Sequence, residues 1–147
     1  MIKTLIPVED PLLHQRIKKC SYDLDRGKLS YTLTENMFHH NGVGLSANQI
    51  GIKERAFVMV CDMESMDTIT CFNPKIIKES KNEVVIEEGC LSYPDLFLDI
   101  PRPETIVVKY EDEVKEFHKI KLTGFIARIF QHEYDHMEGI DFTQRSK

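Results

Sequence analysis

Apolar positions near the start of the chain recur at helical spacing. Leu29, Leu33 and Met37 stand four apart, which predicts a helix over residues 25–40 that buries one face and ends at Gly42. A shorter helix is predicted over residues 11–19, with Asp10 as N-cap and Pro11 at the first position. The period then changes. Residues 41–49 read as a glycine-containing loop, and 55–61 as a continuous apolar run suited to a buried strand. Residues 68–72 alternate and stop at Asn73-Pro74, and 75–78 and 83–87 read as further short strands. Residues 105–110 and 113–122 suggest a hairpin around Glu111-Asp112. A last helix is predicted over residues 124–138, with Thr123 as N-cap and Gly139 as C-cap. Strands in the middle and helices at both ends, without βαβ alternation, make an α+β fold.

Composition narrows this picture only slightly. A length of 147 residues with 41% apolar and 29% charged positions suits one domain, taken as 1–147. The net charge of −5 argues against a nucleic-acid-binding face. The basic stretch 115–121 includes Glu116 and His118 and reads as the solvated side of a strand. No leader sequence is evident, and no run approaches the ~20 apolar residues of a membrane span. A cytoplasmic protein without membrane contact is expected. The cysteines at 20, 61, 71 and 90 need not form disulfides in that compartment. Cys61 and Cys71 lie in apolar, strand-like sequence and are expected to be buried.

The strongest chemical signal is His132-Glu133-Tyr134-Asp135-His136. On a helix, residues four apart share a face. Two such imidazoles can ligate one metal ion, and the adjacent Glu133 can take a proton from a water on that ion. Phe125, Ile129, His132 and His136 fall at steps of four, three and four, so the histidines lie along an apolar stripe where they need partners. A catalytic site of this kind wants a third protein ligand. A longer version of the motif has histidine six residues on, where this chain has Phe142. Glu138, the remaining acidic residue on the helix, faces away. The third ligand is therefore sought upstream, and Cys90, in Glu87-Glu88-Gly89-Cys90-Leu91-Ser92, is the best candidate; the alternative is a buried structural thiol. A Cys/His/His set favours iron(II), zinc, cobalt or nickel. Two other readings stay open on the residues: a metallo-endopeptidase using the same helix, and a non-catalytic metal module closed by Cys61 or Cys71.

Three segments carry a wider resemblance: Gly42-Val43-Gly44-Leu45-Ser46-Ala47-Asn48-Gln49, Glu88-Gly89-Cys90-Leu91-Ser92, and Gln131 through His136 followed by Gly139. With Phe72-Asn73-Pro74 and Pro101-Arg102, they resemble the peptide deformylases in order and approximate separation, over nearly the whole chain. The resemblance implies a small α+β domain with antiparallel sheets packed around the motif helix. It implies hydrolysis of the formyl group from the N-terminal formylmethionine of nascent polypeptides, with release of formate. Cys90, His132 and His136 would hold one divalent ion, Fe2+ in the cell, with Zn2+, Ni2+ or Co2+ as alternatives. Glu133 would act as general base and then as proton donor, and the Gln49 side chain and the Leu91 N–H would donate to the oxyanion. Gly44 would allow close approach of substrate. Val43, Phe125 and Ile129 would line the methionine pocket or simply belong to the core. Glu88, Arg102 and Asp135 would support the ligands. The implied partners are N-formylmethionyl peptides and ribosome-associated nascent chains.

The chain departs from the family's pattern in four places. Ser46-Ala47 stands for the usual Ala-Ala. Many bacterial members carry a basic residue near Phe97 and an acidic one near Asn41, and this chain is uncharged at both. It also stops soon after the motif helix, lacking the C-terminal helical extension, and in this it is similar to viral members.

Overall fold

The computed structural model describes residues 1–146. In chain order the elements are α1 (Arg26–His39), β1 (Gly44–Ser46), β2 (Ala56–Asp62), β3 (Asp67–Glu79), β4 (Glu83–Cys90), β5 (Tyr93–Pro103), β6 (Thr105–Glu111), β7 (Phe117–Thr123) and α2 (Gly124–Met137). Short 3-10 turns cover Pro11–His14, Ala47–Ile50 and Phe142–Gln144. Five strands form one antiparallel sheet in the order β1-β2-β3-β6-β7, and β4 and β5 pair as a separate antiparallel ribbon. This is the α+β architecture expected from the sequence.

The apolar run of β2 is continuous because both faces of the sheet are covered. Ala56, Val58 and Val60 pack with Leu29, Leu33 and Met37 of α1. Phe57 and Met59, on the opposite face, pack with Ile129, Phe130 and Met137 of α2. Each helix stops on a left-handed residue. In α1 this is Asn41 (φ 61°), not Gly42, whose N–H instead bonds Met37 O at 3.0 Å. In α2 it is Gly139 (φ 74°), and Ile140 N bonds Asp135 O at 2.9 Å. Both are Schellman closures, in which asparagine and glycine tolerate the backbone that other residues avoid.

Several predicted boundaries shift for physical reasons. The first helix is only the turn Pro11–His14, although Asp10 caps it as expected, accepting from Leu12 N. Residues 15–17 run extended because Ile17 N bonds Met137 O at 2.8 Å and Gln15 lies against Gly139. Tertiary bonding outweighs weak local preference there. Asn73-Pro74 does not end a strand. It sits at a register shift inside β3, where Asn73 takes a φ of 52° and its side chain bonds Cys20 N and Glu111. A bulge admits proline without ending the strand. The hairpin turn lies at residues 112–116, where Asp112 accepts from Val114 N and Glu116 N, so β7 starts later than predicted. Thr123 precedes α2 but makes no side-chain cap bond. β5 has no counterpart in the sequence prediction. Cys71 is buried, whereas Cys61 is half-buried at the end of β2 and donates to Asp67 O. Among the described residues, no helix is long and apolar enough to cross a membrane.

Candidate metal centre and active site

Three parts of the fold meet at one point. Helix α2 carries His132, Glu133 and His136, the end of the β4–β5 ribbon carries Glu88 and Cys90, and β1 with the turn after it carries Gly44 and Gln49. Ligand atoms of Cys90, His132 and His136 all lie within 4.8 Å of one another, with Cys90 Sγ 3.6 Å from His136 Nε2. His132 directs Nδ1 to Glu88 at 3.0 Å, which leaves Nε2 as its free ring nitrogen. Neither Cys61 nor Cys71 joins this group.

The electrostatics fit a divalent ion. Burial alone would lower His132, but hydrogen bonds to Cys90 and Glu88 outweigh it and push the ring up to about 10, so without an ion the ring holds a proton that a bound metal would displace. Burial, helped by the His132 charge, pulls His136 down to about 3 and keeps it neutral, as a metal ligand must be. Burial pushes Glu133 up to about 7, the range in which a general base works best. Glu133 Oε1 and His136 Nδ1 are buried without a protein partner among the described residues. A soft thiolate with two imidazoles is the donor set of a site for Fe2+, Zn2+, Co2+ or Ni2+.

Behind the ligands lies a buried charge cluster centred on Glu88. Its carboxylate accepts from Arg102 Nε at 2.6 Å, Arg102 Nη2 at 3.1 Å, Arg128 Nη1 and His132 Nδ1. Burial would raise Glu88, but bonds from His132 and Arg102 prevail and hold it down at about 2. Arg102 also donates to Asp135 at 2.9 Å, and Arg145 binds both Asp135 oxygens. The three residues expected to support the ligands thus form one network. Arg128, not singled out from the sequence, belongs to the same cluster and also donates to Ile100 O and Val84 O. Its one signal was a charge four residues before His132 on a helix with a buried stripe. Phe142 supplies a wall instead of a ligand. It is fully buried, with its ring 5.9 Å from that of His132 and 5.5 Å from that of Tyr93.

Gln49 has its orientation fixed from one side. Its Oε1 accepts from Ser46 N at 3.1 Å, and its Nε2 therefore faces Ser92 Oγ at 2.9 Å and Cys90 Sγ at 3.7 Å. The amide caps its own turn and still presents donors to the centre. The Ser46 hydroxyl sits 2.7 Å from Asn48 Oδ1, and Asn48 Nδ2 donates to His136 O, tying this turn to α2. Leu91 occupies the turn directly after Cys90 and packs with Val43 around the α1 core.

A cleft of about 660 Å³ opens onto this point, with Val43, Gly44, Gln49, Ile129 and Phe125 in its lining. Ile129 is buried and Val43 half-buried, so both belong to core and cleft at once, while Phe125 is 45% exposed at the solvent end. Gly44 lies against the general-base candidate. A Cβ there would stand 2.7 Å from Glu133 Oε2 and 3.0 Å from its Cγ. Gly44→Ala is therefore expected to displace the Glu133 carboxylate and lower turnover by roughly 10–100-fold, with metal content unchanged by elemental analysis.

Comparison with known proteins gives the same direction. The family model of polypeptide deformylase matches residues 2–147. A peptide deformylase of Thermotoga maritima is 40% identical over 132 residues, covering 89% of this chain and 79% of that protein. Its crystal structure superposes with a TM-score of 0.93 at 36% identity, covering 100% of this chain and 99% of that one. A probable peptide deformylase from Synechococcus phage S-SSM7 superposes at 0.91 with 34% identity, covering 97% and 99%. A class I type b peptide deformylase from Acinetobacter baumannii, solved with Met-Ala-Ser bound, superposes at 0.89 with 28% identity, covering 99% and 98%. These comparisons give no support to the metallo-endopeptidase alternative. The chain belongs to the polypeptide deformylase family, a family of metal-dependent hydrolases.

Proposed function

We propose that this protein removes the formyl group from N-formylmethionyl peptides at the centre formed by Cys90, His132 and His136, with one divalent ion per chain. The observation that carries the reading is the meeting of these three ligand atoms within 4.8 Å in the cleft that also holds Glu133 and Gln49. When bound, the ion supplies a lowered pKa for water and polarises the formyl carbonyl.

The remaining work falls to the chain's own side chains. Glu133 takes the proton of the attacking water on its unpartnered oxygen and returns it to the departing amine. Gln49 Nε2, held by the Ser46 bond to its other end, donates to the oxyanion, and the Leu91 N–H is the second donor. Ile129 and Val43 accept the methionine side chain, with Phe125 at the outer edge. Glu88, steadied by Arg102 and Arg128, fixes the His132 ring, and Arg102 links Glu88 to Asp135. The products are formate and a free amino terminus. Peptide substrates agree with the Met-Ala-Ser peptide held by the Acinetobacter baumannii relative, and we extend the reading to nascent chains as they leave the ribosome, in the cytoplasm.

We assign Fe2+ as the ion used in the cell on the resemblance to the deformylases; the thiolate and two imidazoles admit Fe2+, Zn2+, Co2+ and Ni2+ alike and leave an open position. Reconstituting the metal-free protein anaerobically with each ion tests this. Formate release is expected to be higher with Fe2+, Ni2+ or Co2+ than with Zn2+. A zinc form more active than the others would overturn the assignment.

A further inference from the structure

The three ligand atoms come from two parts of the fold. His132 and His136 share α2, where helix geometry fixes their spacing. Cys90 stands at the end of the β4–β5 ribbon, and the ladder there is broken. Regular pairing runs from Glu83–Pro103 to Gly89–Phe97, and the next pair is Cys90–Tyr93. Residues 94–96 are left out between these two pairs, with Asp95 at a φ of 65°. A two-stranded ribbon is marginal alone, and an irregularity loosens the pairing beside it. The position of the Cys90 sulfur over the histidines therefore depends on tertiary anchors.

On the α1 side the anchor is Leu91, which packs against the core that α1 covers. On the α2 side it is Tyr93. Its hydroxyl donates to Asp141 Oδ2 at 2.6 Å, across 48 positions of the chain. Asp141 is buried and lies two residues past Gly139, the glycine that closes α2. Its Oδ1 caps the Phe142–Gln144 turn, accepting from Thr143 N at 2.9 Å and from the Thr143 hydroxyl. One oxygen suffices for a cap, so the bond from Tyr93 to Oδ2 is not needed to form the turn. The Phe142 ring fills the space between Tyr93 and His132. A continuous path thus leads from Cys90 through Tyr93 and Asp141 back into the helix that carries both histidines.

We propose that Tyr93 and Asp141 are a positioning pair for the metal centre: their bond holds the Cys90 thiolate over His132 and His136 and so slows loss of the ion. Neither side chain is among the clustered ligand atoms, and the pair acts through the residue that Tyr93 faces across the ribbon. The inference rests on Cys90, His132 and His136 as the ligand set and not on the formyl substrate.

The test follows transfer of Co2+ from the loaded protein to a coloured chelator in excess. Tyr93→Phe removes the hydroxyl alone, and Asp141→Ser keeps a cap on the turn but cannot reach Tyr93. Each is expected to speed ion loss by about tenfold. The double variant should lose the ion no faster than either single one, because both changes break the same bond. The near-ultraviolet thiolate-to-cobalt absorption, which the Cys90 sulfur carries, should weaken or shift in all three. A pair that only steadies the fold would lower the urea midpoint of the metal-free protein and leave ion loss and absorption at wild-type values. That result, or additive effects in the double variant, would overturn the proposal. If Asp141→Ser does not fold, the rate and absorption of Tyr93→Phe decide. A wild type without the thiolate absorption would overturn the ligand set and the pair together. Faster ion loss in Tyr93→Phe, with no formate from formyl-Met-Ala in the wild type, would overturn the deformylase reading and leave the pair intact.

Discussion

Replacing Glu133 with alanine is expected to cut formate release by about 10²–10⁴-fold while one metal ion per chain remains bound. Glu133 sits between the two histidines in sequence, but it is not one of the three clustered ligands. It is buried with an oxygen that no protein group among the described residues satisfies, and its other oxygen lies against Gly44. Removing it therefore breaks no ion pair or hydrogen bond that holds the fold. Thermal stability should stay near that of the wild type or rise, because an unsatisfied buried carboxylate costs stability. Formate assays and elemental analysis on the same preparation read both effects. Undiminished turnover in Glu133→Ala would remove the general-base role.

Replacing Glu88 with alanine should do the reverse and damage the fold first. Arg102 and Arg128 would lose the carboxylate they share, and two guanidinium groups would remain buried beside each other. Removing one partner of a buried charge cluster costs about 3–5 kcal/mol. His132 would also lose the acceptor that fixes Nδ1 and turns its free nitrogen to the metal. Loss of such a partner weakens metal binding by about 10–100-fold. Glu88→Gln should fall between, since the amide oxygen still accepts from Arg102 but the charge is gone. Chemical denaturation of the metal-free protein separates the stability loss from the binding loss. A change below about 1 kcal/mol would contradict a structural role for this cluster.

The parts of the fold that were legible in the sequence are those that obey a local rule. Asp10 caps the first turn by accepting from Leu12 N, and Gly139 closes α2 with a positive φ, both as expected from residue type and position. β2 was readable because it is buried on both faces. β5 was not, since its ribbon is largely exposed, its residues do not alternate, and Pro101 and Pro103 read as breaks. The extended course of residues 15–17 depends on bonds to the far end of the chain, which no local pattern encodes.

The site divides in the same way. The histidine pair and Glu133 follow from helix spacing alone. Cys90 was a candidate from its glycine-containing turn, and the structure brings its sulfur to the histidines. What spacing could not give is orientation. Gln49 caps its own turn through Oε1. The bond from Ser46 N to Oε1 is also what turns its Nε2 toward Cys90. Arg128 joined the cluster unnoticed because its partners Glu88, Val84 and Ile100 lie on the ribbon, 28–44 positions away.

The most direct test is to incubate the metal-loaded protein with a formyl-Met-Ala peptide that also contains several internal peptide bonds. Formate is quantified, and the peptide products are weighed by mass spectrometry. Stoichiometric formate and a single peptide product that has lost only its formyl group are predicted, with both signals abolished by Glu133→Ala. Cleavage at an internal bond, or a peptide that keeps its formyl group, would contradict the assignment of Cys90, His132, His136 and Glu133 as a deformylase centre.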